Sequence, residues 1–267
     1  MNADPKYLSQ QRFARYAERY VASPTHAKGT DLERLVSIAD PQPDWIVLDV
    51  ATGGGHTALR FAAHVAQVTA TDLVPDMLNA AQASAASHKV KNVAFEIADA
   101  EDLPFQDGRF DLVTCRIAPH HFTDCARFVG ECARVLRPPT SKEGRHNGML
   151  IVQDHVLPDD RAAGRYIDAF ERLRDPSHNR AFAQGEWIEL FEHAGLTVTH
   201  TEQLTKQHQF MPWAERQDCT PETIARLVDM VDQASDTVRE WMQPRDFGTP
   251  NATFVNHHII VAGQRTE

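Results

Sequence analysis

The chain has 267 residues, 42% of them hydrophobic and 24% charged, which excludes a wholly disordered protein. Lys and Arg number 27 against 37 Asp and Glu, a formal net charge of -10. Nucleic acid and anionic membrane surfaces are therefore poor partners, because both are gripped mainly through Lys and Arg.

Gln10 to Val21 and His26 to Ala39 read as helices, the second with Leu32, Leu35, Val36 and Ile38 at near-helical spacing and Thr30 or Asp31 as its cap. Pro41 and Pro43 break it. Trp45 to Val50 is an apolar, β-branched run suited to a buried parallel strand. A Gly-rich turn, Thr52 to Gly55, leads into a helix from His56 to His64. Gln67 to Thr71, Val93 to Ile97, Phe110 to Cys115 and Met149 to Gln153 continue the strands. Pro75 to His88 and Asp124 to Leu136 supply helices between them, and Pro139 to Asn147 is a polar loop. Beyond these come a helix from Asp159 to Leu173, a loop from Arg174 to Arg180, and a helix from Gly185 to Ala194 stopped by Gly195. A strand from Thr197 to Leu204 and a mostly helical stretch from Pro212 to Met242 follow. Thr253 to Ala262 is a final strand, too apolar to be a tail, and is expected to return into the same sheet. Strands alternating with helices of 10–15 residues mean βαβ units and a parallel sheet.

No run approaches the roughly 20 apolar residues that span a bilayer. Met1 to Tyr20 has no apolar centre of a secretory signal. The four cysteines, Cys115, Cys125, Cys132 and Cys219, form no C-x-x-C pair and read as reduced thiols. Cys125 and Cys132 lie one heptad apart on an apolar helix face, where a thiol acts as a small hydrophobe. A cytoplasmic location is expected.

The stretch Asp49-Val50-Ala51-Thr52-Gly53-Gly54-Gly55 is the most informative. A Gly-rich turn between strand and helix lets a ligand approach backbone N–H groups. Asp72 closes the next strand, where an acid accepts ribose hydroxyls, and Asp99 closes the third, where a carboxylate meets an exocyclic amine. Each acid alone has a bland reading, Asp72 as a helix cap for example. Their order at three successive strand ends points to a nucleoside-containing cofactor. The register Gly53-Gly54-Gly55-His56-Thr57-Ala58 does not by itself exclude a dinucleotide. Asp49 does discriminate: it repels a pyrophosphate, yet it can orient an ammonium directly or through water.

The segments VLDVATGGG (Val47 to Gly55), TDLVPDML (Thr71 to Leu78), ADAEDLPFQDGRFDLVTCRIAPHHF (Ala98 to Phe122) and ECARVLRP (Glu131 to Pro138) resemble the class I S-adenosylmethionine (SAM)-dependent methyltransferases. More narrowly they are similar to the ubiquinone/menaquinone-type branch acting on small molecules. The resemblance is strong over Trp45 to Asp154. It implies a doubly wound α/β fold, with a mostly parallel seven-stranded sheet and an antiparallel last strand. It also implies SAM as cofactor. In that reading Ala51, Gly53 and Gly55 line the methionine portion. Asp72 holds the ribose, Leu73 and Met77 flank the adenine, and Asp99 and Ala100 meet its edge. Arg116 borders the methionine carboxylate or the mouth of the site. Ala51 departs from the usual first glycine. Arg137-Pro138-Pro139 replaces a tight Pro-Gly-Gly turn. An Asn-Asp-x-Met-Ser segment associated with quinone methyltransferases is missing, which argues against quinone biosynthesis.

Methyl transfer from a sulfonium needs in-line placement and a base only when the acceptor is protonated. His120 and His121, after the fourth strand, are the candidates; their bland reading is one helix cap and one solvated side chain. Adjacent residues generally point apart, so the pair is not expected to bind a metal. His257 and His258 alternate along a strand and read as structural. Tyr16 and Tyr20 share a helix face; packing and coverage of a sulfonium are both open to them. His26 and Asp154 are further substrate or lid candidates. The loop Arg174 to Arg180 either gates the pocket or anchors the next helix. The chain is expected to form one methyltransferase domain. Residues 1–44 would be a helical cover, 45–155 the cofactor-binding core, 156–184 and 206–251 lid-like insertions, and 252–263 a closing strand. The insertions would otherwise serve as a homodimer surface. A non-catalytic binding protein and an NAD-dependent oxidoreductase stand as alternatives.

Overall fold

The computed structural model describes residue 6 and residues 10–15, 30–139 and 147–266. Tyr16, Tyr20 and His26 lie outside the described residues, as does most of the polar loop after Pro139. Residues 10–15 are helical. The elements that follow are α1 (Thr30–Ala39), β1 (Ile46–Val50), α2 (His56–Ala62), β2 (Gln67–Asp72), α3 (Pro75–Ser87), β3 (Val93–Ile97) and β4 (Leu112–Arg116). After a 3-10 turn (Pro119–His121) come α4 (Cys125–Val135), β5 (Met149–Leu157), α5 (Arg161–Arg174), β6 (Phe182–Ala183) and α6 (Gln184–His193). The last are β7 (Leu196–Gln209), α7 (Phe210–Glu215), α8 (Pro221–Asp232), α9 (Asp236–Met242) and β8 (Thr253–Arg265).

The sheet order is β3-β2-β1-β4-β5-β8-β7, with the short β6 paired to β5 beside this path. Neighbours from β3 through β5 run parallel, and β8 is antiparallel to both β5 and β7. This is the expected fold, with β6 as an added two-residue strand. Strands buried on both faces are mostly apolar along their length. Leu48, Val113, Leu150 and Val261 pack with Phe128 of α4 and Trp187 of α6 on one face. Val47, Leu112, Ile151 and Ile260 pack with Leu35 of α1 and Phe61 of α2 on the other. A third apolar cluster joins Phe170, Trp213, Leu227 and Phe254, drawn from α5, α7, α8 and the start of β8. Cys115, Cys125 and Cys132 are buried and unpaired, as free small hydrophobes.

Two strands outrun their sequence pattern. β5 continues past Gln153 to Leu157, because β8 pairs with it as far as His155–His258 and β6 pairs with Val156 and Leu157. Asp154 and His155 therefore sit inside the strand and not at its end. β7 continues past Leu204 to Gln209, pairing with β8 throughout, so residues 206–209 are strand before α7 begins. No described helix is long and apolar enough to cross a membrane.

Gly263 of β8 meets α6 at close range. A Cβ there would lie 2.7 Å from Phe191 Cδ1 and 3.2 Å from the Thr197 carbonyl. Phe191 is fully buried and has no room to retreat. Gly263→Ala is expected to lower unfolding free energy in urea by about 1–3 kcal/mol. Wild-type stability in that variant would show that α6 does not pack against β8 in this way.

Candidate functional site

The sheet order reverses between β1 and β4, and in open α/β sheets ligands bind in the crevice at this point. Both strands leave the sheet through a residue in the left-handed region: Ala51 at φ 51° and Ile117 at φ 54°. Neither is glycine, and a β-branched residue there is uncommon, so both turns are strained. Tertiary hydrogen bonds hold them. The Thr52 N–H donates to the Thr71 carbonyl at 2.7 Å, and the Ile117 N–H to the Gln153 carbonyl at 2.7 Å.

Asp49 organises the turn. It is 1% exposed. Its Oδ2 accepts from the Thr52 hydroxyl at 2.6 Å and the Ala58 N–H at 3.1 Å, and its Oδ1 from the Thr114 hydroxyl at 2.7 Å. Burial dominates these bonds and pushes its carboxyl up to about 6. Asp72 accepts the Gly53 N–H at 2.9 Å and the Val74 N–H at 3.0 Å, so it ties the Gly-rich turn to the start of α3. Burial raises its carboxyl as well, against those bonds. Asp99 behaves differently. Burial works to raise it, but the Lys6 ammonium at 2.6 Å and the Glu101 N–H at 2.9 Å outweigh burial and hold it below its ordinary value. Lys6 also pairs with Glu101 at 2.9 Å.

One cavity is lined by Asp49, Ala51, Gly53, Asp72, Leu73 and Met77 on the β1–β2 side. Asp99, Ala100, Arg116 and His121 line it further round. The guanidinium of Arg116 is held by Asp31 of α1 at 2.6 Å and by Gln153 of β5 at 3.1 Å. Gly55, His120 and Asp154 are not on the wall. Gly55 has φ 81°, and a Cβ would fall 3.0 Å from the Ala81 Cβ, so it serves the packing of the turn on α3. His120 is buried behind the wall, where its N–H and Nδ1 meet the two oxygens of Asp154 at 2.7 and 2.6 Å. Asp154, fully buried within β5, faces that ring and not the cavity.

His120 and His121 do not point apart. Their ring centroids are 4.0 Å apart, because bonds to Asp154 and to the Ser177 carbonyl direct them, not the alternation of a strand. The loop Arg174 to Arg180 makes no part of the wall; it braces the turn. Asn179 and Arg180 donate backbone N–H groups to the His120 carbonyl at 2.8 and 3.1 Å, and the Asn179 side chain donates to the Phe122 carbonyl at 2.6 Å. His257 and His258 take opposite faces, His257 stacked on Trp241 at 3.9 Å and His258 beside His155 at 4.7 Å.

Lys6, Phe13 and Glu101 line the cavity without having stood out in the sequence. A single Lys in a polar segment carries no pattern. Glu101 had a weak signal, as a second acid two residues after Asp99, and it is buried under the Thr123 hydroxyl at 2.8 Å.

The left-handed Ala51 makes its own test. Ala51→Gly is expected to raise stability by up to about 1 kcal/mol, measured by urea unfolding, since glycine adopts this conformation without a Cβ clash. Destabilisation would mean the turn is not strained. Asp49 makes a second. Its carboxyl binds a proton more tightly folded, near 6, than unfolded, near 3.8. Its favourable contribution is complete below about pH 4 and lost as pH rises through about 6. The stability difference between wild type and Asp49→Asn should therefore shift against wild type by about 2 kcal/mol from pH 4 to 7. A flat difference would place the Asp49 carboxyl at its ordinary value.

Residues 47–139 match the sequence family described as a methyltransferase domain. The chain is 32% identical over 228 residues to the uncharacterized methyltransferase YcgJ of Bacillus subtilis (strain 168), spanning 85% of this chain and 87% of that protein. The crystal structure of YcgJ aligns with a TM-score of 0.83 at 30% identity, over 89% of this chain and 99% of that one. The demethylmenaquinone methyltransferase of Thermus thermophilus is 35% identical over 151 residues, 54% of this chain and 64% of that protein.

Proposed function

From the premise that this chain belongs to the class I SAM-dependent methyltransferases, in their ubiquinone/menaquinone-type branch, we propose that its cavity binds SAM and that a small-molecule acceptor receives the methyl group. The observation that carries the reading is that Asp49, Asp72 and Asp99, from three successive strand ends, line one cavity with the Gly-rich turn. The donor set fits. Asp72 is a hydroxyl acceptor, and Leu73 and Met77 offer apolar surface for a flat base. Asp99 and Ala100 form a polar edge, closed off by Lys6. Asp49 keeps acceptor capacity on Oδ1, where one donor is present, and suits an ammonium. The same carboxylate opposes a pyrophosphate, and the oxidoreductase alternative gives way to the family.

SAM, when bound, supplies a methyl group already activated on a sulfonium. The chain must position the acceptor, exclude water and accept a proton where one is released. His121 is suited to the last task. Its Nδ1 lies 2.9 Å from the Ser177 carbonyl, which can only accept, so Nδ1 carries the hydrogen and Nε2 the lone pair. Burial lowers its basicity, partly opposed by the charge of Asp175, so the ring is neutral and ready to take a proton at pH 7. Phe13 meets its ring edge-on at 4.9 Å and shields it from solvent.

SAM and S-adenosylhomocysteine should each raise the melting temperature. Asp72→Ala should weaken S-adenosylhomocysteine at least tenfold by calorimetry, with the circular dichroism spectrum preserved. No thermal shift with either compound at saturation would overturn the reading. His121→Gln should leave that affinity unchanged and lower turnover of phenol, amine or thiol acceptors that must lose a proton. Binding without turnover across such a panel would favour a non-catalytic protein.

A further inference from the structure

Behind the cavity wall a row of imidazoles crosses from the 3-10 turn to β5 and β8. The His120 ring lies 4.0 Å from His121, 4.6 Å from His155 and 5.2 Å from His178, and His155 lies 4.7 Å from His258. Within this row His120, Asp154 and His155 each offer one ligand-type atom, and these atoms all lie within 4.8 Å of one another.

Three features make this more than a packed cluster. Asp154 is fully buried, and its ion-pair partner among the described residues is the His120 imidazole alone. A buried carboxylate is stabilised by positive charge nearby, and no Lys or Arg pairs with this one among the described residues. Second, Nδ1 of His120 is taken by Asp154 at 2.6 Å, which leaves Nε2 with its lone pair. This is the carboxylate–histidine arrangement that orients a metal-binding ring. Third, Nδ1 of His258 is buried with no hydrogen-bond partner among the described residues, in a residue only 7% exposed, next to His155. A polar atom in that state is a site awaiting a partner.

We propose that His120 and His155 bind a divalent first-row transition-metal ion through their imidazole nitrogens, with Asp154 behind His120 orienting that ring and supplying negative charge. Imidazole nitrogens suit Zn2+, Co2+, Ni2+ or Fe2+ and not Mg2+ or Ca2+, which take oxygen ligands. The ion lies one imidazole ring behind His121 and links the 3-10 turn to β5. It therefore fixes the turn that carries the cavity-facing histidine. This inference does not depend on the cofactor assignment.

The test uses the full chain, with any affinity tag removed, stripped by a chelator and then titrated with Co2+ and Zn2+ at pH 7.5. One Co2+ per chain is expected, with visible absorption bands that Zn2+ abolishes by displacement. His155→Ala and His120→Asn should each weaken Zn2+ binding at least tenfold. His88→Ala, at the exposed end of α3, should bind as wild type does. Should His155→Ala fail to fold by circular dichroism, His155→Gln keeps most of the volume and removes the imidazole. The absence of stoichiometric Co2+ uptake would overturn the proposal, as would uptake that survives loss of both histidines.

Discussion

The carboxylate of Asp49 is the constraint on which the cavity depends. It is out of water, and its three donors come from the Gly-rich turn, from α2 and from β4. An apolar replacement would leave those donors buried and unpaired, each at a cost of about 1–3 kcal/mol. The bond to Thr52 and the bond to Ala58 bend the chain back over the strand end, and this holds Ala51 in its left-handed conformation. With the turn so placed, the Gly53 N–H reaches Asp72 and the Thr52 N–H reaches β2. One buried charge thus sets the relative positions of three strand ends.

Across the crevice the ends of β1 and β4 are built alike, each leaving the sheet through a non-glycine residue at positive φ. The β1 side is held by carboxylates accepting N–H and hydroxyl groups. The β4 side is held from behind, by Asp154 on His120 and by the Arg174 to Arg180 loop on the turn. The two halves meet at Arg116, which links β4 to α1 through Asp31 and to β5 through Gln153. The strain on both sides is local, and the hydrogen bonds that sustain it come from distant segments.

Much of this was legible in the sequence, for a physical reason. Strands buried on both faces are mostly apolar or β-branched, so β1, β2 and β4 announced themselves, and the acids at the ends of β1, β2 and β3 stood out against them. Asp154 and His155 hid the true length of β5. Polar residues end a strand by propensity, but here His120, β6 and β8 supply partners that no local pattern contains. The convergence of His120 and His121 was hidden for the same reason, since Asp154 and Ser177 lie 34 and 56 residues away. Gly55 looked like a ligand-contacting glycine because the turn motif does not say which glycine faces the helix. Lys6 reaches Asp99 across 93 residues, and nothing local marks it.

The position of β8 carries a consequence for how the molecule is made. It is the last of the described strands, yet it lies between β5 and β7, and β7 has no other neighbour among the described strands. During synthesis β1 to β5 can pair as they emerge. β7 must wait, with α7, α8 and α9 already made, until β8 has left the ribosome. Until then β5 shows an open edge, and β7 has nothing to pair with. Such edges invite pairing with other chains. The nascent protein is thus most exposed to misassembly just before β8 inserts.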